Sequence, residues 1–234
     1  LPDGRVRPDS RLPVTKSAGQ APLSTTLPGP CSYHGAKRSG KRVFDLAFAL
    51  AALLLLAPVF ALVAVAVKLD SRGPVFYRSE RIGLDGKPFG MIKFRSMVTG
   101  ADRQVAALMT SNEGAGLLFK MREDPRVTKV GKVLRRFSID ELPQFLNVVR
   151  GEMSVVGPRP PLRREVENYD GRVQRRLLVR PGVTGLWQVS GRSDLSWDES
   201  VRLDLSYVEN WSMVTDVLII VRTVKAVLAS DGAY

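Results

Sequence analysis

Ser138-Ile139-Asp140-Glu141-Leu142-Pro143-Gln144 and, beyond Asn147, Gly151-Glu152-Met153-Ser154-Val155-Val156-Gly157-Pro158-Arg159-Pro160 form the stretch around which the chain is organised. Leu142, Phe145, Leu146 and Val149 recur at i, i+3, i+4 and i+7, which predicts an amphipathic helix with the Asp140-Glu141 pair at its N-terminus. A helix start carries roughly half a unit of positive charge and several unbonded N–H groups, so it favours carboxylates and the phosphates they could react with. Two adjacent carboxylates there can divide labour, one attacking and one holding a metal ion. Ser138-x-x-Glu141 also reads as a capping box, and on spacing alone the cap is the plainer reading.

Immediately upstream, Val130, Val133, Leu134 and Phe137 repeat the helical spacing, predicting a short helix that carries Arg135 and Arg136 and ends at Ser138. Its arginines form a solvated basic face or, at Arg135, turn towards the acidic pair. Residues 101–119 are polar with scattered apolar positions and say little. Before them, residues 74–78 and 89–94 alternate as strands, with Asp85-Gly86 as the turn between them. Lys93 and Arg95 then share one strand face, as a solvated edge or as part of a site.

Downstream, residues 163–178 are highly charged and predict a basic surface helix. The string Arg180-Pro181-Gly182-Val183-Thr184-Gly185-Leu186-Trp187-Gln188-Val189-Ser190-Gly191-Arg192 follows. Its close glycines and two arginines suit backbone approach to an anionic ligand. Val214, Val217, Leu218, Val221 and Leu228 mark a last amphipathic helix with Arg222 and Lys225, expected to pack on the core, with a membrane-surface position as the alternative.

Residues 46–67 contain no charged side chain and a single proline, Pro58. As one straight helix this run would be roughly 33 Å long, enough to cross a bilayer core. Pro58 removes a backbone hydrogen bond near its middle, so a helix-break-helix is expected. Lys37, Arg38, Lys41 and Arg42 precede the run, and Lys68, Arg72, Arg78 and Arg81 follow it. Basic residues on both flanks favour a re-entrant hairpin over a kinked spanning helix, because Lys/Arg excess belongs on the cytoplasmic side. Residues 1–36, rich in Pro, Ser, Thr and Gly, read as a disordered basic tail without signal-peptide features.

Lys+Arg number 35 against 23 Asp+Glu in 234 residues, and the resulting charge of +12 points to an anionic partner without choosing among nucleic acid, acidic lipid and phosphorylated ligand. The only cysteine and the only histidine, Cys31 and His34, both lie in the tail. That excludes a disulfide framework, a Cys/His zinc site and any His-dependent nucleophile from the folded part. Carboxylate chemistry is favoured by elimination. A zinc spacing or RNP-like motif for nucleic acid is missing, and a nonenzymatic membrane-surface module would leave the Asp-Glu pair and the Pro-Arg-Pro loop without a purpose.

The run Asp140-Glu141-Leu142-Pro143-Gln144 with Gly157-Pro158-Arg159-Pro160 resembles the core signature of the monotopic phosphoglycosyl transferases, bacterial sugar transferases acting on polyprenyl phosphate. Lys41-Arg42-Val43-Phe44-Asp45 before the apolar run, Gly73-Pro74-Val75-Phe76-Tyr77, Lys93-Phe94-Arg95-Ser96-Met97 and the 180–192 string extend the likeness, which is to the short, ExoY-like form. The resemblance implies an α+β fold, a mainly helical compact domain with a short β-hairpin (residues 73–234), anchored by a re-entrant membrane helix (37–72) and surface amphipathic helices. It implies transfer of a hexose 1-phosphate from a UDP-sugar to undecaprenyl phosphate with release of UMP, at the cytoplasmic face of the bacterial inner membrane. N-acetylated or diamino sugars are the alternative donors. Asp140 would be the nucleophile of a covalent two-step reaction. Glu141, with Asp140, would hold Mg²⁺, and Lys93, Arg95, Arg135, Arg159, Arg180, Gln188 and Arg192 would bind substrate. Membrane lipids are further partners, nucleic acid is not, and a homo-oligomeric state is left open.

Overall fold

The computed structural model describes residues 36–104, 121, 123–191 and 195–229. The tail before residue 36, most of residues 101–119, and Arg192 lie outside the described residues.

Two helices open the fold, α1 (Ala36–Leu55) and α2 (Ala57–Asp70), bent by 60° at Leu56. Pro58 stands in the first turn of α2, where its lacking N–H costs nothing because no intrahelical acceptor exists there. No single described helix is long and apolar enough to cross a membrane; the bent pair meets that test only together. Leu50, Leu54 and Leu55 on α1 and Leu62, Val65 and Leu69 on α2 point outward. The opposite sides of the two helices pack on the same domain. Ala49 joins the main core with Phe145, Val148, Val156 and Ile219, while Val63 and Val67 pack against Phe94 and Leu134.

The predicted hairpin is present and longer than its apolar alternation suggested: β1 (Phe76–Ile82) pairs antiparallel with β2 (Pro88–Phe94), Phe76 opposite Phe94 and Ile82 opposite Pro88. Asp85, with φ of 56°, supplies the left-handed residue that the turn needs. Helix α3 (Lys129–Arg136) begins at the Thr128 cap and ends where expected. Its contact face differs from the periodicity, because Gly131 lies against the Ser96 backbone, where a Cβ would collide with the Ser96 carbonyl. Val133 and Phe137 are left exposed as a result.

Next come α4 (Gln144–Arg150), β3 (Ser154–Val156), α5 (Arg163–Val166), β4 (Gly182–Thr184), α6 (Trp197–Glu209) and α7 (Met213–Ala229). Strands β3 and β4 pair in parallel, Ser154 opposite Gly182 and Val156 opposite Thr184. The architecture is α+β, mostly helical with short strands. Residues 163–178 are not one basic surface helix: α5 has four residues, a 3₁₀ segment covers Val173–Leu178, and Glu165, Arg176 and Leu177 are buried. Two of the charges that made it look solvated are paired inside, Glu165 with Arg159 and Arg176 with Asp204 at 2.5 Å and with the Tyr169 hydroxyl at 2.8 Å. On α7 the expected face is reversed. Val214, Val217, Leu218 and Val221 face outward, while Asp216 and Ile219 are buried.

Asp216 explains that reversal. Its carboxylate accepts from the Tyr207 hydroxyl (2.8 Å) and Trp211 Nε1 (3.0 Å) and pairs with Lys41 Nζ at 2.8 Å. The same Nζ lies 3.1 Å from Asp45, whose oxygens accept from Ser154 Oγ and the Val155 amide. Lys41 is thus a buried cation shared by two buried carboxylates, joining α1, β3, α6 and α7. Basic Lys41 and Arg42 serve the interior rather than a lipid headgroup, for Arg42 donates to the Val148 and Val149 carbonyls at the end of α4. Lys41→Met leaves two buried carboxylates without their cation, and we expect a loss of about 3–5 kcal/mol. Thermal unfolding in detergent checks this, and an unchanged transition would show the cluster to be wetter than its burial implies.

Candidate active site

The Asp140-Glu141 pair lies on a 3₁₀ turn, Ile139–Glu141, that precedes α4 and is not its first turn; Pro143 occupies the N-cap position. The Ser138-x-x-Glu141 capping box does not form. Ser138 has φ of 54° and makes no side-chain cap, and Glu141 instead receives Lys93 Nζ at 2.7 Å. A left-handed serine is uncommon and costs of order 1–3 kcal/mol, strain of a kind found where a chain is bent to aim functional side chains. A capping box of the same type does form elsewhere, between Ser196 and Glu199 at the start of α6.

Position of the turn is fixed from both sides. Asn147 on α4, fully buried, accepts from the Ile92 amide (2.9 Å) and donates to the Gly90 carbonyl (2.8 Å) and to Glu152 (2.6 Å). Its side chain therefore occupies the open edge of β2 as a third strand would, and holds Lys93 beside Glu141. At the far end of α4, Arg42 and Arg180, the latter donating from Nε to the Gly151 carbonyl at 2.7 Å, satisfy terminal carbonyls.

In a 3₁₀ turn successive side chains diverge by about 120°. Asp140 lines a cleft of about 250 Å³ with Tyr77, Arg81, Lys93 and Arg135. Glu141 lines a second space of about 530 Å³, walled almost entirely by apolar side chains of α1 (Phe48, Ala52), α4 (Phe145) and α7 (Ile220, Val224). A polar, cationic compartment and an apolar one thus meet at two consecutive carboxylates. Burial pushes the Asp140 carboxyl up to about 6; Lys93 opposes the shift, the Glu141 charge adds to it and Arg135 opposes it. At neutral pH it stays mostly ionised.

Of the residues that the sequence singled out, Asp140, Lys93, Arg95 and Arg135 line the cleft, and Glu141 adjoins it through Lys93. Arg95 is turned away, its guanidinium donating to the Ser71 and Arg72 carbonyls at the end of α2. Arg159 forks onto the buried Glu165 carboxylate at 2.9 and 3.4 Å. Gln188 lines the apolar space and Arg180 lies with Lys41 and Arg42, outside the cleft lining. Two glycines of 180–192, Gly182 and Gly185, press against the backbone of Gly157, where either Cβ would collide, locking β4 to the Gly157–Pro160 loop. Sequence reasoning missed Arg81, read only as a membrane flank, and the bridging role of Asn147. The strand alternation that placed Lys93 would have placed Arg81 on the cleft had β1 been extended to residue 82.

Among the described residues no three Asp, Glu, His or Cys side chains gather as a metal site. Asp140 and Glu141 alone are hard oxygen donors of the kind Mg²⁺ uses, since it takes one or two protein carboxylates and completes its shell with water and substrate phosphate. The donor set fits that ion.

A family model described as bacterial sugar transferase matches residues 36–230. The exopolysaccharide production protein ExoY of Sinorhizobium fredii is 47% identical over 198 residues, 83% of this chain and 88% of the relative. The undecaprenyl-phosphate galactose phosphotransferase of Salmonella typhimurium is 42% identical over 206 residues, covering 85% of this chain and 43% of the relative. The UDP-glucose:undecaprenyl-phosphate glucose-1-phosphate transferase of Escherichia coli is 40% identical over 233 residues, 96% of this chain and 47% of the relative.

In metal-free protein the Asp140 carboxyl is expected to titrate near pH 6. Lys93→Met removes a charge that favours the ionised form, so the midpoint should move up. Carboxyl-carbon NMR of aspartate-labelled protein measures both, and an ordinary midpoint near 4 would mean that water reaches the carboxyl freely.

Proposed function

The chain belongs to the bacterial sugar transferase family, and from that membership we propose that it transfers a hexose 1-phosphate from a UDP-sugar to undecaprenyl phosphate, releasing UMP and initiating exopolysaccharide or related glycan synthesis. It is an enzyme, a phosphoglycosyl transferase. The observation that carries the reading is the meeting of the cationic cleft and the apolar space at Asp140-Glu141. A water-soluble donor and a lipid acceptor must share one phosphorus atom, so their compartments have to adjoin. The names of the relatives, galactose in Salmonella and glucose in Escherichia coli, favour a neutral hexose over an N-acetylated or diamino sugar.

In this mechanism an Asp140 oxygen attacks the sugar-bearing phosphorus, the P–O bond to UMP breaks, and UMP leaves as an anion that needs no proton. An oxygen of the lipid phosphate then attacks the same phosphorus and the Asp140 oxygen departs, restoring the carboxylate. No water is activated, so no histidine is required. Burial of Asp140 strips it of hydrating water, and Lys93 and Arg135 keep it ionised at neutral pH. Arg135 supplies positive charge to the cleft, and Lys93 holds Glu141 in place. Asp140 and Glu141 would hold Mg²⁺, which supplies neutralising charge for the pyrophosphate and the leaving UMP.

The same reading makes the α1–α2 pair a re-entrant anchor at the cytoplasmic face of the inner membrane. Supporting it, Lys41 near the start of α1 and Val67 near the end of α2 are both buried in one domain, while leucines along both helices face outward. A spanning helix would separate those ends by roughly 30 Å. The outward apolar faces of α1 and α7 flank the apolar space, which suits entry of a prenyl chain from the lipid side.

Enzyme, Mg²⁺ and UDP-sugar without lipid should give a UMP burst stoichiometric with enzyme, and a hexose-phosphate adduct on the Asp140 peptide by mass spectrometry. Asp140→Asn and removal of metal with EDTA should each abolish the burst, with Mg²⁺ restoring only the second. UMP release that strictly requires both substrates together would replace the two-step route by direct attack of the lipid phosphate.

For topology, Ser39→Cys and Lys68→Cys in a Cys31→Ser background should both resist an impermeant thiol reagent added outside spheroplasts. Labelling of one position alone would establish a spanning pair.

A further inference from the structure

We propose that Arg81 is a binding residue for the phosphoryl oxygens of the nucleotide donor in the cleft beside Asp140. The inference rests on the transferase reading for the identity of its anion, and on the cleft itself for the site.

Two of the cations near Asp140 are answered by carboxylates, Lys93 by Glu141 at 2.7 Å and Arg159 by the buried Glu165. Arg135 shares the cleft lining with Asp140, and Arg95, though its Nε is unmet, spends its other donors on the Ser71 and Arg72 carbonyls. Arg81, near the end of β1, lines the same cleft yet makes one hydrogen bond, from Nη1 to the Pro160 carbonyl at a long 3.3 Å. Its Nε is buried with no hydrogen-bond partner among the described residues. A guanidinium carries five donors in a planar fork that matches phosphate, and leaving buried donors unmet is costly. Burial first, and then the neighbouring Arg159 charge, pull its pKa down to about 10 against the attraction of Glu165 and Glu141. Glu165 and Glu141 thus compensate the buried Arg81 charge only in part, and an incoming pyrophosphate would complete the compensation.

A purely architectural role is already filled. The Gly157–Pro160 loop is fastened to β1 by the Ile82 amide, which donates to the Pro161 carbonyl at 3.0 Å, so the long Arg81 bond adds little to that link. Donor and acceptor both bring phosphate oxygens. The donor is favoured because Arg81 lies in the polar cleft, whereas the prenyl chain's compartment is on the Glu141 side of the turn.

The test uses the full chain in detergent with Mg²⁺. Binding of UDP is measured by calorimetry, and KM is measured separately for UDP-sugar and for undecaprenyl phosphate. In Arg81→Gln, UDP affinity should fall and KM for UDP-sugar should rise, each by about tenfold or more, with KM for undecaprenyl phosphate changed by less than about twofold. Arg81→Lys should fall between, because charge is kept and the fork is lost. Should the variants fail to fold, wild-type protein answers: UDP should protect the Arg81 peptide from phenylglyoxal. Wild-type UDP affinity in folded Arg81→Gln, a rise confined to the acceptor's KM, or modification of Arg81 unaffected by UDP would each overturn the proposal. Wild-type protein that binds no UDP and releases no UMP would overturn the transferase reading itself, a result distinct from the other three.

Discussion

A lysine ammonium buried between two carboxylates is the interaction on which the arrangement depends. Lys41 lies on the first helix, and its charge is spent inside the domain on Asp45 and Asp216. Each carboxylate passes the link onward, Asp45 to β3 through Ser154 and Val155, and Asp216 to α6 through Tyr207 and to the following loop through Trp211. Buried ion pairs seldom add net stability over apolar packing, but one with a single satisfied geometry can fix which elements meet. Here it sets α1 and α7 on either side of the apolar space, and Arg42, one residue on, seats the end of α4 between them.

With α4 seated, its start is positioned too. Asn147 joins α4 to the free edge of β2, so the hairpin and the helix move as one body, and Lys93 meets Glu141. The left-handed Ser138 then turns the chain so that two neighbouring carboxylates serve different compartments. Uneven burial makes them chemically unequal as well: Asp140 is 7% exposed and shifted upward, whereas Glu141 is held by a lysine at the margin. The different surroundings of the two acids arise from turn geometry more than from a helix dipole, since the pair precedes α4 instead of starting it.

The arginines show where residue type stops being informative. Guanidinium groups suit phosphate, and they suit the bare carbonyls at a helix C-terminus equally well. Arg95 and Arg180 took the second use, Arg159 took a buried glutamate, and Arg81, which no motif reading favoured, keeps a buried Nε without a partner beside the cleft. Closely spaced glycines are ambiguous in the same way. Those at 182 and 185 accommodate a neighbouring strand's backbone, a demand for small size that a phosphate loop would also make.

By itself the sequence determined the broken helix pair near Pro58, the hairpin and the family, because each is written in local spacing and motif. It also singled out Lys93, Arg135 and Asp140, which line one cleft, since strand alternation and a helix ending near Ser138 are short-range features. Tertiary structure alone decided which face of α7 is outward, which arginines are occupied, and that residues 163–178 fold inward around Arg176 and Glu165. In most of these a charged or polar side chain found a partner far along the chain, Asp216 with Lys41 and Arg176 with Asp204, and that pairing outweighed the apolar periodicity. Such partners lie beyond any window of sequence, so their choice appears only once the chain has closed on itself.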